Sequence, residues 1–166
     1  MKVIGIDPGT AITGFGLVQE EEDGSLKVID FGAIQTPPGI AMPERLLSLY
    51  ERLREILLLH RPGSGAVEKL FFQRNVTTAI SVGQARGVAL LALAQMNLPV
   101  SEYTPLEIKQ AVAGYGGAGK QQVQQMVRAL LQLEDIPRPD DAADALAVAI
   151  CHLHSAGMQR IYQENQ

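Results

Sequence analysis

Apolar positions run through Val3-Ile4-Gly5-Ile6 without interruption and stop at a carboxylate, Asp7, where Pro8-Gly9 ends the segment. A second apolar run, Gly14 to Val18, follows at once, so the two predict the strands of one hairpin. Leu26 to Thr36 predicts a third strand, closed by Pro37-Pro38-Gly39, and the succession predicts an antiparallel meander. The period then changes. From Pro43 to His60, Leu46, Leu49, Leu53, Ile56 and Leu57 recur at helical spacing, with Arg45, Arg52 and Arg54 interleaved among Glu44, Glu51 and Glu55 on the solvated side. Arg61 to Gly65 is a turn, and Ala66 to Leu70 predicts a short central strand. A helix between two strands implies a right-handed crossover, so this strand is expected parallel to the first, with both carboxyl ends at one edge.

Thr77 to Asn97 predicts a helix that is apolar on more than one face. Its Ala79, Gly83 and Gly87 recur every four residues, a small-residue stripe that admits either the chain's own sheet or a second copy of the chain. Two glycines inside a helix cost about 1–2 kcal/mol relative to alanine, so close packing is expected to compensate. Val100 to Tyr103 predicts the last strand, and Thr104-Pro105 supplies an N-cap and first-turn pair for a helix through Ala113. The glycine-rich stretch 114–119 lacks the strand before it and the GK[ST] ending of a phosphate-cradling loop, and reads as a connector. Lys120 to Leu133 and Asp140 to about Ser155 predict two further helices on either side of Pro137-Arg138-Pro139. The pattern as a whole is that of an α/β protein, a five-stranded mixed sheet flanked by helices.

Composition narrows this only slightly. With 166 residues, 46% of them hydrophobic, one domain with a real core is expected. The lone Cys151 excludes an internal disulfide and fits a reducing, cytoplasmic setting. No leader pattern precedes the first strand, and no apolar run approaches a membrane span. A net charge of −4 argues against holding nucleic acid by bulk charge. It does not exclude a nuclease, because carboxylates gathered around a divalent cation form a locally cationic site.

Candidate chemistry starts at Asp7. As the last side chain of a buried strand it is either a rigid anchor for a site or an Asx-turn partner of Gly9, and the stretch alone leaves the two even. Glu68 lies toward the carboxyl end of the expected parallel neighbour. Asp141 and Asp144, three residues apart, share a face in the first turn of the last helix, continued by Ala145, Val148 and Cys151-His152. Acids at a helix N-terminus also complement the macrodipole, which accounts for Asp140 as an N-cap. For Asp141 and Asp144 that account is weaker, since a core-facing acid needs a partner. Four converging acids without basic neighbours in sequence repel one another unless a divalent cation holds them ionised. Hard oxygen ligands select Mg²⁺ or Mn²⁺, and two such ions about 3.5–4 Å apart suit in-line attack of water on a phosphodiester. His60, His152 and His154 read as packing or surface residues, and Cys151 as a small core residue.

The ordered segments GIDPGT, AVEKLFFQRN, SEYTPLEIKQAVAGYGGAGK and DDAADALAVAICH resemble the RuvC family of bacterial Holliday junction resolvases. The resemblance covers residues 1–157 as a single nuclease domain and leaves 158–166 as a C-terminal tail. It implies a ribonuclease-H-like fold and a homodimer. It also implies a cytoplasmic endonuclease of homologous recombination and DNA repair, dependent on Mg²⁺ (Mn²⁺ substituting), with two ions per site. That enzyme nicks opposing strands of a four-way junction symmetrically, leaves 5′-phosphate ends, and works beside RuvA and RuvB. The family's catalytic and metal-holding acids fall on Asp7, Glu68, Asp141 and Asp144. Its DNA contacts fall on Phe71, Arg74, Asn75, Lys109 and Lys120. Phe71 is the aromatic expected to stack on an unpaired base, with Phe72 buried. Asp7 is expected to bridge both ions, Glu68 and Asp144 to complete their sites, Asp141 to orient the water, and Lys120 to stabilise developing charge. Two departures stand out: Lys69 replaces a common glutamine, and Gly119 a common acid. Two other readings stay open from the residues alone, an actin-like ATPase, whose phosphate loop GIDPGT also resembles, and a junction-binding module with idle acids.

Overall fold

A computed structural model of the chain describes residues 1–70 and 76–164. The elements follow in the order β1 (Lys2–Asp7), β2 (Ile12–Glu20), β3 (Leu26–Gln35), α1 (Met42–His60), β4 (Ser64–Glu68), α2 (Val76–Gln95), β5 (Val100–Tyr103), α3 (Pro105–Ala113), α4 (Lys120–Leu130) and α5 (Asp140–Glu164). The strands form one mixed sheet in the order β3-β2-β1-β4-β5. β1, β2 and β3 pair antiparallel, and β4 lies parallel to both β1 and β5. This is the five-stranded α/β, ribonuclease-H-like architecture expected from the pattern.

Strand alternation sorts the two faces. Ile4, Ile6, Leu17 and Val67 face α1 and α2, burying Leu49, Leu53, Leu57 and Leu93. Val3, Val18 and Ala66 face the other way, onto α5 with α3 and α4 behind it. Strand parity therefore puts Asp7 and Glu68 on the α5 side.

That side is unusually close-packed. Gly5 pairs with Gly16, and Gly14 pairs with Asp7, so β1 and β2 present three glycines to α5. A Cβ on Gly5 would stand 2.2 Å from the Ala145 carbonyl oxygen, and one on Gly14 would stand 1.9 Å from that of Asp141. The backbone of α5 thus rests directly on the sheet, possible only because these positions are glycine. Buried Ala142, Ala143, Ala145, Ala147 and Ala149 give the helix the matching small surface.

Several boundaries depart from the expected ones. β4 runs Ser64–Glu68, two residues earlier than the expected Ala66 to Leu70, because Ser64 and Gly65 already pair with Val3 and Ile4. α5 continues to Glu164, well past Ser155, and includes most of the expected tail. α4 ends at Leu130, where Gln132 adopts φ 52° and the Leu133 amide donates to the Arg128 carbonyl oxygen. Asp140, expected as an N-cap, is the first residue of α5, and the Pro139 carbonyl accepts from the Ala142 and Ala143 amides. The α2 stripe also resolves. The face buried against sheet and α1 carries Ala85, Ala89, Ala92 and Leu93, not Gly83 and Gly87. A Cβ on Gly87 would meet nothing within 4 Å. The glycine stripe does not pack on the chain's own sheet.

Candidate active site

The parallel register of β1 and β4 aligns Ile6 with Val67, so Asp7 and Glu68 leave the sheet side by side at its carboxyl edge. α5 crosses the same edge with its first turn seated over Gly14, which brings Asp141 and Asp144 to the two strand-end acids. All four carboxylates that the sequence singles out are brought together. Burial pushes the Asp7 carboxyl up to about 8, reinforced by the charges of Glu68, Asp144 and Asp141. Burial also raises Glu68, against the opposing pull of a hydrogen bond with Asp7 and of Lys109 and Lys120. Asp144 rises for the same first reason, tempered by Lys120. Asp7 and Glu68 are hydrogen-bonded to each other.

A basic partner absent from the local sequence is supplied in three dimensions. Lys120, the first residue of α4, places Nζ 3.3 Å from Asp144 Oδ2 and 3.4 Å from Asp140 Oδ2. Partial burial works against its charge, but these two carboxylates outweigh it and raise the ammonium. Asp140 is fixed in turn by Gln124 Nε2 at 3.2 Å and Arg138 at 2.8 Å. Lys109, on α3, joins Lys120, Glu68 and Asp144 in lining a cleft of about 200 Å³. Of the expected DNA contacts, Lys109 and Lys120 thus stand beside the acids. Phe71, Arg74 and Asn75, together with Phe72, lie outside the described residues.

Cation fit turns on the donor set. The four side chains that converge from the sheet edge and α5 are all carboxylate oxygen donors, which suits a hard divalent cation. Among the described residues no three His, Cys, Asp or Glu side chains already stand in a metal-holding arrangement. Instead Asp7 is hydrogen-bonded to Glu68, and Lys120 occupies Asp144. A divalent cation would take over both neutralising roles, so the residues fit one.

Two supports escape local sequence patterns. Arg86, the only charged residue of α2, forms an ion pair with Glu102 of β5, and its Nε donates to the Glu68 carbonyl oxygen at 3.4 Å. A lone charge in an apolar helix was the available signal. On α5, His152 is buried between Ser64 Oγ and Tyr103 Oη, each 2.9 Å from one ring nitrogen, and desolvation pulls its pKa down. This fastens the mid-part of α5 to the starts and ends of β4 and β5. His60 meets Asp30, and His154 Nδ1 bonds the Ala111 carbonyl oxygen, so all three histidines are structural as expected.

Residues 3–152 match the family model described as crossover junction endodeoxyribonuclease RuvC. A protein of that name from Chloroflexus aurantiacus is 63% identical over 156 residues, covering 94% of each chain. The solved structure of Thermus thermophilus RuvC superposes with a TM-score of 0.90 at 40% identity, over 96% of this chain and 97% of that one. The T. thermophilus protein in complex with a Holliday junction substrate gives 0.87 at 37% identity, over 95% and 96%.

Proposed function

Because the chain belongs to the RuvC family of crossover junction endodeoxyribonucleases, we propose that Asp7, Glu68, Asp141 and Asp144 form its hydrolytic centre for four-way junction DNA. The observation that carries this reading is the shared position of these four acids at one sheet edge, where burial and mutual repulsion raise Asp7 to about 8. Such a cluster costs the fold stability and is best accounted for by a ligand that repays it.

Asp7, Glu68, Asp141 and Asp144 would hold Mg²⁺, or Mn²⁺ in its place, as two ions, which would supply water ionised near neutral pH and positive charge at the phosphate oxygens. The chain's own residues do the rest. Asp7 and Glu68 are held rigidly by paired strands, and Asp144 joins them from α5. Asp141, beside them on the first turn of α5, orients the attacking water. Its oxygen adds to phosphorus in line with O3′. The P–O3′ bond breaks, leaving a 5′-phosphate and a 3′-hydroxyl. Lys120, once released from Asp144, is placed to stabilise charge on the phosphate, and Lys109 to hold the same strand in the cleft.

Symmetric cleavage of opposing strands needs two such centres, hence a homodimer. The outer face of α2 supports this. Ile80 and Leu91, 58% and 53% exposed, flank Gly87 on one helical face, leaving an apolar surface with a close-approach groove. Sedimentation of a Gly87→Leu variant should shift the protein toward monomer. Action in recombination and repair beside RuvA and RuvB, in the cytoplasm, completes the reading. Among the described residues no helix is long and apolar enough to cross a membrane.

The test is cleavage of a strand-labelled synthetic four-way junction with Mg²⁺ or with EDTA. Paired, ligatable nicks at symmetric positions in Mg²⁺ alone support the proposal. A junction retarded in gels but never cut would reduce the chain to a binding module, and ATP turnover would favour the phosphate-loop reading.

A further inference from the structure

The acids stand between two depressions, not at the end of one. On the α4 side lies the cleft of about 200 Å³ that Glu68 and Asp144 share with Lys109 and Lys120. On the α2 side lies a second depression of about 230 Å³, lined by Asp7, Glu68, Lys69 and Arg86 among others. Glu68 and Pro105 line both, so the acids stand between the two depressions with cations on each flank.

The two cations of the second flank differ. Arg86 is committed, its guanidinium to Glu102 and its Nε to the Glu68 carbonyl oxygen. Lys69 is exposed, and its backbone amide is spent on the Tyr103 carbonyl oxygen, which holds its Cα at the strand end. Among the described residues its ammonium has no ion-pair partner within 4 Å. Glu107, whose carboxylate Lys69 helps to hold down, is already used as the capping-box acceptor of the Thr104 amide at 2.7 Å. A lysine fixed at its root and exposed at its tip, beside acids suited to a divalent cation, is complementary to a phosphodiester.

We propose that Lys69 is a backbone-phosphate contact on the Asp7 side of the acids, so that the strand to be cut crosses Glu68 with phosphates seated in both depressions. This rests on the reading of the four acids as a junction-cleaving centre. Lys109 and Lys120 hold the strand on one side of the cut, and Lys69 holds it on the other. The scissile phosphate is thereby centred over the carboxylates by contacts that carry no sequence information.

The experiment measures junction affinity by fluorescence anisotropy in EDTA over about 50–200 mM KCl, where each phosphate contact contributes a slope of about −0.9 in log K against log salt. The background is Asp7→Asn, which cannot cleave, with and without Lys69→Gln or Lys69→Arg. Loss of Lys69 should reduce the slope by about one, with binding about three- to tenfold weaker at the low-salt end and the gap narrowing as salt rises. Lys69→Arg should restore the slope, and melting temperatures should not move. An unchanged slope in Lys69→Gln overturns the proposal. An Asp7→Asn parent that does not bind the junction at all overturns the reading beneath it as well.

Discussion

Replacing Asp7 by asparagine should make the metal-free protein more stable while abolishing cleavage. Asp7 is raised from 3.8 to about 8, first by burial and then by Glu68, Asp144 and Asp141. Between those values the folded chain holds a proton that the unfolded chain has released. Folded protein therefore binds more protons than unfolded, and stability falls as pH rises from about 4 to 8. Each unit of displacement corresponds to about 1.4 kcal/mol, so the whole displacement sets a ceiling of roughly 6 kcal/mol at pH 8. Asparagine removes the Coulomb share but remains a buried polar group, and the proton belongs to the coupled Asp7–Glu68 pair. A gain on the order of 2 kcal/mol is therefore expected, or about 4–8 °C in melting temperature for a chain of this size. The assay is thermal unfolding in EDTA from pH 5 to 8. Wild type and variant should converge toward pH 5 and separate toward pH 8, and Mg²⁺ should stabilise wild type far more than the variant. Parallel curves, or a variant less stable at pH 8, would refute the reasoning.

The other expectations concern how the site is held. In Gly14→Ala the new Cβ would stand 1.9 Å from the Asp141 carbonyl oxygen, so the first turn of α5 must lift by more than an ångström. That should cost about 1–3 kcal/mol of stability and reduce cleavage about a hundredfold, with junction binding retained in a gel-shift assay. Lys120→Met should lower kcat about a hundredfold with a smaller change in KM in single-turnover and steady-state junction cleavage, and Lys120→Arg should recover part of it. His152 is held below its ordinary 6.5 by desolvation, so the wild-type contribution to stability is present above that pH and lost as pH falls. Comparing urea midpoints at about pH 7 and pH 5.5, His152→Phe should lose that acid sensitivity. It should also cost about 1–3 kcal/mol at neutral pH, because the Ser64 and Tyr103 hydroxyls lose a partner.

What could be read from the sequence followed from sharp local signals. The strands were legible because Pro and Gly bracket short apolar runs, as at Ile6-Asp7-Pro8-Gly9 and Gln35-Thr36-Pro37. The crossover rule placed β4 parallel to β1, and with it Asp7 beside Glu68. Helix ends were less legible. α4 ends at Leu130 and not at the expected Leu133, because Gln132 takes the left-handed region where a glycine would have announced the stop, whereas the end of α1 at His60 was read as it stands. Pairings distant in sequence left no pattern, and so Lys120 was not foreseen as the partner of Asp144. Nor did the hairpin glycines Gly14 and Gly16 reveal their task. They read only as part of the second apolar run, whereas in the fold they are the floor on which α5 sets Asp141 and Asp144.

The central claim is that the four carboxylates are a binding centre for divalent cations, and anomalous scattering from crystals soaked in Mn²⁺ tests it most directly. The account predicts manganese peaks within ligand distance of Asp7, Glu68 and Asp144 in wild type and their loss in Asp7→Asn. Manganese found only elsewhere on the chain, with Lys120 still seated on Asp144, would contradict it.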